Sequence, residues 1–220
     1  MSGRIKDNLL QIRKEIVPYT PNIIAVTKYY GLEGILEAYD AGLRDFGESR
    51  ANESIEKIIQ LKPEIRANSN FHFIGHLQSN KAEKVVKYFD YIHSVDSLKL
   101  GEIISVAATK ENKRQKILLQ LNNANEANKY GFSKEDLIKQ FGDFLALEGL
   151  EVVGIMNIAP YGISKTELNS LFKDVRETKE KLETLYNYPI KELSMGMSED
   201  YKEAIMNGST MIRIGRKLFS

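Results

Sequence analysis

The stretch Ile23-Ile24-Ala25-Val26-Thr27-Lys28 is a short, largely β-branched run that stops abruptly at a lysine. An uninterrupted apolar run of this length is typical of a strand that is buried on both faces. The apolar residues between Leu32 and Tyr39 are then spaced three to four apart, and Gly42 follows them, which predicts a helix. A buried strand followed by an amphipathic helix predicts a parallel βαβ unit.

The same alternation recurs along the chain, and one further helical pattern, over residues 5–16, precedes the first strand. Eight strands are predicted, at residues 23–27, 43–47, 71–75, 91–95, 117–121, 150–156, 190–194 and 211–214. The pattern predicts an α/β fold, a closed (β/α)8 TIM barrel with an extra N-terminal helix. An open doubly wound sheet is the alternative. No linker-like segment interrupts the alternation, so we expect residues 1–220 to form a single domain.

Composition excludes several classes of function. The 220 residues carry 31 basic and 30 acidic side chains, which argues against a protein that mainly coats nucleic acid or an anionic membrane. The absence of cysteine excludes disulfides, thiolate nucleophiles and iron–sulfur clusters. No run of about 20 apolar residues could span a membrane, and Arg4, Lys6 and Asp7 interrupt any signal peptide. We therefore expect a cytoplasmic protein.

Lys28 is the first candidate for chemistry, because active sites of such barrels lie at the C-terminal ends of the strands. A lysine that directly follows a buried run enters the mouth of the barrel. There its amine can form a Schiff base with a carbonyl compound. The alternative is an ordinary lysine at a strand end, with its ammonium group in water.

The last two strands carry a possible anion site. Ser194-Met195-Gly196 and Gly215-Arg216 lie where such barrels commonly bind phosphate through backbone N–H groups. Glycines and a serine also make ordinary tight turns, so that alternative stays open. Arg213 lies inside an apolar strand and requires a partner, which is either a ligand at the barrel mouth or a carboxylate in a structural ion pair.

Two histidines have a spacing that also occurs in zinc sites. His72 and His76 are four residues apart, but they lie on a predicted strand, where four residues span about 13 Å. One zinc ion could not bridge them, so we predict no metal. His76 is a candidate for the lining of the site, and His72 is expected to be a satisfied core histidine.

Six segments together resemble the pyridoxal-phosphate homeostasis protein family, which has the barrel of the alanine racemase N-terminal domain. They occur in the family's order and cover nearly the whole chain. They are Ala25-Val26-Thr27-Lys28, Phe46-Gly47-Glu48-Ser49-Arg50, His72-Phe73-Ile74-Gly75-His76-Leu77-Gln78-Ser79-Asn80-Lys81, Ile92-His93-Ser94-Val95-Asp96-Ser97, Leu193-Ser194-Met195-Gly196-Met197-Ser198 and Gly208-Ser209-Thr210-Met211-Ile212-Arg213-Ile214-Gly215.

The resemblance implies a binding site for pyridoxal 5′-phosphate (PLP). It implies that Lys28 forms a Schiff base with PLP and that Arg213 faces the pyridine nitrogen. It also implies that Ser194, Gly215 and the backbone of Arg216 hold the phosphate. The remaining residues that we predict to contribute to cofactor binding are Ser49, His76, Met195 and Gly196. Lys129 matches a family lysine that accepts or passes on the cofactor.

The chain departs from the family pattern at three positions. Ser49 replaces the usual asparagine of the second-strand motif, which puts that contact to the cofactor in doubt. Arg216 replaces a small residue and would add a charge near the phosphate. Phe71 replaces a common tryptophan, which we interpret as a packing change.

We expect a protein that binds PLP and serves its intracellular homeostasis by buffering or delivery, without catalysis. Expected partners are PLP and PLP-dependent apo-enzymes, and a monomer is expected. A low-activity racemase is the first alternative, although alanine racemase has a second domain, which supplies a catalytic tyrosine and which we do not find before Ser220. The other alternative is an enzyme for a phosphorylated metabolite, with Glu48 as its best acid or base.

Overall fold

The computed structural model describes residues 2–124 and 130–220, and its strands form a closed parallel barrel. Each strand pairs with the next, and the last pairs with the first. In the described residues the strands are β1 (Asn22–Val26), β2 (Asp45–Glu48), β3 (Asn70–Phe73), β4 (Tyr91–Val95), β5 (Gln115–Leu121), β6 (Leu150–Asn157), β7 (Glu192–Met197) and β8 (Met211–Ile214). The predicted (β/α)8 barrel is confirmed, and the open sheet is excluded.

Helices connect the strands and cover the outside of the barrel. The described helices are α1 (Ser2–Glu15), α2 (Leu32–Asp40), α3 (Ala51–Ile59), α4 (Pro63–Ala67), α5 (Ala82–Tyr88), α6 (Leu98–Lys110), α7 (Lys134–Leu145), α8 (Lys165–Tyr186), α9 (Tyr201–Met206) and α10 (Arg216–Phe219), with a 3-10 turn at Ser79–Lys81. Helix α1 precedes the barrel and packs against α2 and α10, which confirms the extra N-terminal helix. Of these helices, none combines the length and the apolar composition that a membrane crossing requires.

Two element boundaries differ from the sequence pattern for identifiable reasons. The apolar spacing of residues 55–61 predicts a helix that stops at Pro63, but α3 ends at Ile59 and Pro63 begins α4, where the missing N–H of proline costs no hydrogen bond. The seventh strand is predicted at residues 190–194 but spans Glu192–Met197. The N–H of Ile190 donates to the carboxylate of Glu183 at 2.8 Å, and not to a neighbouring strand.

The space between the barrel and the helices is filled by apolar side chains, among which Phe46, Phe71 and Phe141 are fully buried. The barrel interior is partly polar. His93 on β4 contacts Ser194 on β7, and because these strands are not neighbours, the contact crosses the interior. A separate apolar cluster of Leu118, Val153 and Met156 packs with Tyr91 and Ile158. The polar part of the interior leads to the site described next.

Candidate functional site

A cavity of about 570 Å³ opens at the C-terminal ends of the strands, and we call it the Lys28 cavity. The segments that follow β1, β6, β7 and β8 form its walls. Four of the residues predicted for the site line it: Lys28, Arg213, Gly215 and Arg216. Its apolar lining includes Val26, Ile74, Ile158 and Leu168. The topology therefore brings residues from the two ends of the sequence into one cavity.

The backbone on both sides of Lys28 is held in place by hydrogen bonds from Lys57. The ammonium group of Lys57, on α3, donates to the carbonyl oxygen of Thr27 at 3.2 Å and to that of Tyr30 at 3.1 Å. The Lys28 side chain is half-buried, and its Nζ lies 5.0 Å from the centroid of the Tyr29 ring. The segment from Thr27 to Tyr30, which we call the Lys28 loop, is thus fixed at both ends, while the Lys28 side chain lines the cavity.

Glu48 is a structural residue in this arrangement. Its side chain is almost fully buried and accepts hydrogen bonds from the hydroxyls of Thr27 at 2.7 Å and Ser54 at 3.1 Å. It also forms an ion pair with Lys57. Both carboxylate oxygens are therefore occupied, and Glu48 does not line the Lys28 cavity. The structure gives no support to its prediction as an acid or base at the barrel mouth.

Arg213 is only 4% exposed, yet it reaches the Lys28 cavity. Its Nη1 donates to the carbonyl oxygen and the hydroxyl of Ser194, at 2.7 and 2.6 Å, and its Nη2 donates to the carbonyl oxygen of Asn157 at 2.8 Å. Burial lowers its pKa to about 10, while attraction to Asp200 acts in the opposite direction. Within residues 2–124 and 130–220, no carboxylate forms an ion pair with it. A buried cation without a direct counter-ion favours the ligand alternative over the structural ion pair.

Sequence reasoning missed the side chains that the segment after β7 places in this cavity. Ser198, Asp200 and Glu203 all line it. The Asp200 carboxylate accepts the N–H of Met197 at 2.5 Å, and burial raises its pKa above the ordinary value. Its position directly before α9 was an available signal, because aspartate is favoured there, although here it caps the strand end and not the helix.

Three predicted residues on β7 lie outside the cavity lining. Ser194 is fully buried, and its hydroxyl oxygen bonds to His93 and Arg213. Met195 is also fully buried, as part of the apolar core. Gly196 has a φ of +91°, and a Cβ added to it would lie 2.6 Å from the Cβ of Ala204. Gly196 therefore allows α9 to pack closely on β7.

Ser49 and His76 line a different cavity, of about 320 Å³, which we call the Ser49 cavity. It opens beside the ends of β2 and β3, and Arg50 and Glu53 also line it. The His76 ring stacks on Tyr130 with centroids 3.6 Å apart. The structure thus brings Ser49 and His76 together with each other but not into the Lys28 cavity.

Comparison with known proteins gives a consistent result. The family model described as "Alanine racemase, N-terminal domain" matches residues 2–220. A protein of Synechocystis sp. named pyridoxal phosphate homeostasis protein is 41% identical over 203 residues, which cover 92% of each chain. This chain belongs to the pyridoxal phosphate homeostasis protein family.

Solved structures of another family member agree. The PipY protein of Synechococcus elongatus, solved without PLP, superposes with a TM-score of 0.91 at 37% identity, over 98% of this chain and all of the other. The structure of PipY with PLP bound gives a TM-score of 0.88 at 35% identity and the same coverage. The fold that the family resemblance implies is confirmed by these similarities.

The remaining residues that the family pattern singles out have mixed positions. His72 is fully buried with a partner on each ring nitrogen, as expected of a satisfied core histidine. Arg216, which replaces a small residue, points its exposed side chain to Glu199 in an ion pair of 3.2 Å. Lys129 lies outside the described residues. Among the residues that the structure describes, no cluster of three histidines or carboxylates could hold a metal ion.

Proposed function

We propose that this protein binds PLP in the Lys28 cavity and serves intracellular PLP homeostasis. The observation that carries the proposal is the joint presence of the Lys28 amine and the buried guanidinium of Arg213 in one cavity. Relatives named for PLP homeostasis and the PLP-bound structure of PipY support it.

The residues of the cavity fit the pyridine ring, the aldehyde and the phosphate of PLP. A volume of about 570 Å³ lies within the range of small-molecule sites. Apolar side chains can cover the faces of the pyridine ring, and the amine of Lys28 can react with the aldehyde. Gly215, Arg216 and Ser198 line the cavity, and we expect the phosphate beside them. The Ser198 oxygen accepts the N–H of Lys217 at 3.4 Å, a bond that does not use the hydroxyl hydrogen, which could then donate to an anion.

We propose that Lys28 holds PLP as a Schiff base. When PLP is bound, the amine of Lys28 in its neutral form would add to the aldehyde carbon. The two amine hydrogens would leave with the aldehyde oxygen as water while a C=N bond replaces the C=O bond, so no oxidant or further reactant is required. Lys57 restrains the backbone on both sides of Lys28 during this step. PLP supplies only the electrophilic aldehyde; the cavity supplies the amine and the binding groups.

The charge of Arg213 favours a protein that holds PLP over an enzyme that uses PLP to transform amino acids. A pKa of about 10 keeps its guanidinium protonated at neutral pH. Placed against the pyridine nitrogen, a guanidinium donor leaves that nitrogen unprotonated, which makes the ring a weaker electron sink than one paired with an aspartate. We therefore propose buffering or delivery of PLP, and not racemisation, as the role of the site.

The test is an absorbance spectrum of the purified protein, followed by borohydride reduction and peptide mass mapping. We expect a yellow protein whose reduced cofactor remains attached to Lys28. Lys28→Ala should lose the covalent label. Lys165→Ala is the matched control, because Lys165 lines the same cavity but is highly exposed and paired with Glu203. A protein that fails to take up added PLP, or a label on Lys165, contradicts the proposal.

A second experiment separates holding from catalysis. Deuterium exchange at the α-carbon of common amino acids, measured in heavy water with PLP-loaded protein, should not exceed the rate with free PLP. Sustained exchange would replace the proposal with a racemase. Transfer of PLP to an apo-enzyme in the presence of a trap for free PLP would support delivery. We also propose that the chain acts as a single-domain monomer, which light scattering can test.

A further inference from the structure

A continuous chain of hydrogen bonds crosses the barrel interior. The carboxylate oxygen Oδ1 of Asp45 lies 2.9 Å from Nε2 of His72, and Nδ1 of His72 lies 2.9 Å from Nε2 of His93. Nδ1 of His93 lies 2.9 Å from the hydroxyl oxygen of Ser194, which accepts from Arg213 at 2.6 Å. We call these five residues the interior chain. The three central residues, His72, His93 and Ser194, are fully buried, so water does not compete for the bonds between them.

The interior chain has its two ends in different cavities. Arg213 lines the Lys28 cavity. Asp45 is the first residue of β2 and lines a third cavity, of about 430 Å³, together with segments that precede β1 and β2. This third cavity therefore lies at the N-terminal side of the strands, and the interior chain connects it to the opposite side.

The chemical nature of the two ends limits how the protons can be ordered. Arginine can only donate, and an ionised aspartate can only accept. Although burial alone would raise the pKa of Asp45, hydrogen bonds from His72 and from Asn22 and Asn70 bring it below the ordinary value, so Asp45 is ionised at neutral pH. Burial holds the pKa of His93 well below its ordinary value, and the positive charge of Arg213 acts in the same direction, so His93 is neutral.

One arrangement of the hydrogens then gives every bond of the interior chain a donor and an acceptor. His72 donates from Nε2 to Asp45 and accepts at Nδ1, while His93 donates from Nε2 to His72 and accepts at Nδ1. Ser194 donates its hydroxyl hydrogen to His93, and its oxygen accepts from Arg213. The hydrogen and one lone pair of the Ser194 hydroxyl are thereby committed inside the protein.

We propose that Asp45, His72, His93 and Ser194 are positioning residues that set the orientation of Arg213, and that the Ser194 hydroxyl serves Arg213 and not the phosphate of PLP. The inference rests on the proposed function, since it concerns the residue that would meet the pyridine ring. It reassigns Ser194 from the phosphate role that the family resemblance implies. Ser198, four residues later, lines the cavity and is the serine that can reach the phosphate.

The first test compares PLP with pyridoxal, which lacks the phosphate, in Ser194→Ala and in the matched control Ser198→Ala. We expect Ser194→Ala to weaken both ligands by the same factor, roughly tenfold, as for a lost hydrogen bond to a charged group. It should also shift the absorbance maximum of bound PLP, and Ser194→Thr should restore it. Ser198→Ala should weaken PLP more than pyridoxal. An effect of Ser194→Ala on PLP alone, or no effect at all, overturns the inference.

The second test uses the PLP-free protein, so it does not depend on cofactor binding. Long-range proton–nitrogen NMR at neutral pH should find His72 and His93 protonated at Nε2 and bare at Nδ1; a proton on Nδ1 of either ring overturns the inference. Asp45→Asn should shift the nitrogen resonances of His93, which it does not touch. Asp90 accepts the backbone N–H of Phe71 and is not part of the interior chain, so Asp90→Asn should leave the His93 resonances unchanged. A wild-type protein with the expected histidines but no PLP binding refutes only the proposed function.

Discussion

The Lys28 cavity and the Ser49 cavity open at the same end of the barrel, and both contain residues that match the family pattern, but they hold their charges differently. In the Lys28 cavity Arg213 and Asp200 are buried and do not form an ion pair with each other. In the Ser49 cavity Arg50 and Glu53 form an ion pair with 62% and 63% exposed side chains. Burying a charge costs free energy, whereas an exposed pair costs and contributes little.

This difference indicates which of the two cavities is the better candidate for binding a ligand. A cation that remains buried without a direct counter-ion destabilises the protein unless a ligand uses it. A sequence motif alone does not make this distinction, because Ser49 and Lys28 both lie in segments that resemble the family. Burial and hydrogen bonding favour the Lys28 cavity.

The largest effect on stability is expected from Glu48→Gln. Glu48 and Lys57 form a buried ion pair behind the Lys28 loop, and the substitution leaves the Lys57 ammonium unpaired. Breaking such a pair costs about 3–5 kcal/mol. Urea unfolding should show this loss, and the remaining folded protein should bind PLP more weakly because Thr27 is released. Glu53→Gln, in the exposed pair of the Ser49 cavity, should change the free energy of unfolding by less than about 1 kcal/mol. Equal effects would remove the distinction between the cavities.

The next effect concerns affinity for PLP. Arg213→Leu should weaken PLP binding by about 10- to 100-fold, because a hydrogen bond to a charged group in a buried site is lost. Arg50→Leu, at the Ser49 cavity, should leave the dissociation constant unchanged. Spectrophotometric titration with PLP measures both variants. A loss of binding in Arg50→Leu with normal binding in Arg213→Leu would transfer the proposed site to the Ser49 cavity.

The barrel was predictable because its signals are local. A buried run such as Ile23-Ile24-Ala25-Val26-Thr27 and the helix pattern that follows it are set by neighbouring residues. The capping box of Ser164 and Glu167 at the start of α8 is equally local. Lys28 and Gly215 lie within two residues of the ends of β1 and β8, so the rule that sites lie at C-terminal strand ends was enough to bring them into one cavity.

The rest of the site depends on contacts that local patterns do not contain. The pairing of β7 with β8 shifts register between Ser194 and Met197, so alternation along the strand does not predict which side chains reach the cavity. Glu48 is unsuited to act as an acid because Thr27, Ser54 and Lys57 occupy its carboxylate, and two of these partners lie on the following helix. Asp200 enters the cavity because the segment after β7 turns back before α9.

The smallest expected effect is a pH dependence of stability that arises within the Lys28 cavity. Burial raises the pKa of Asp200, so its protonated form is favoured in the folded protein. Its contribution to stability is therefore fully present below the ordinary aspartate pKa of about 3.9 and is lost as the pH rises through the folded-state pKa. Asp200→Asn removes this loss, so the variant should gain stability relative to wild type as the pH rises from 3 to 7. Urea unfolding across that range measures the difference. Glu199→Gln removes one negative charge from the exposed rim and serves as the control. A difference that instead falls with pH would show that Arg213 stabilises the Asp200 carboxylate as a true ion pair, and the buried cation would then need no ligand to explain it.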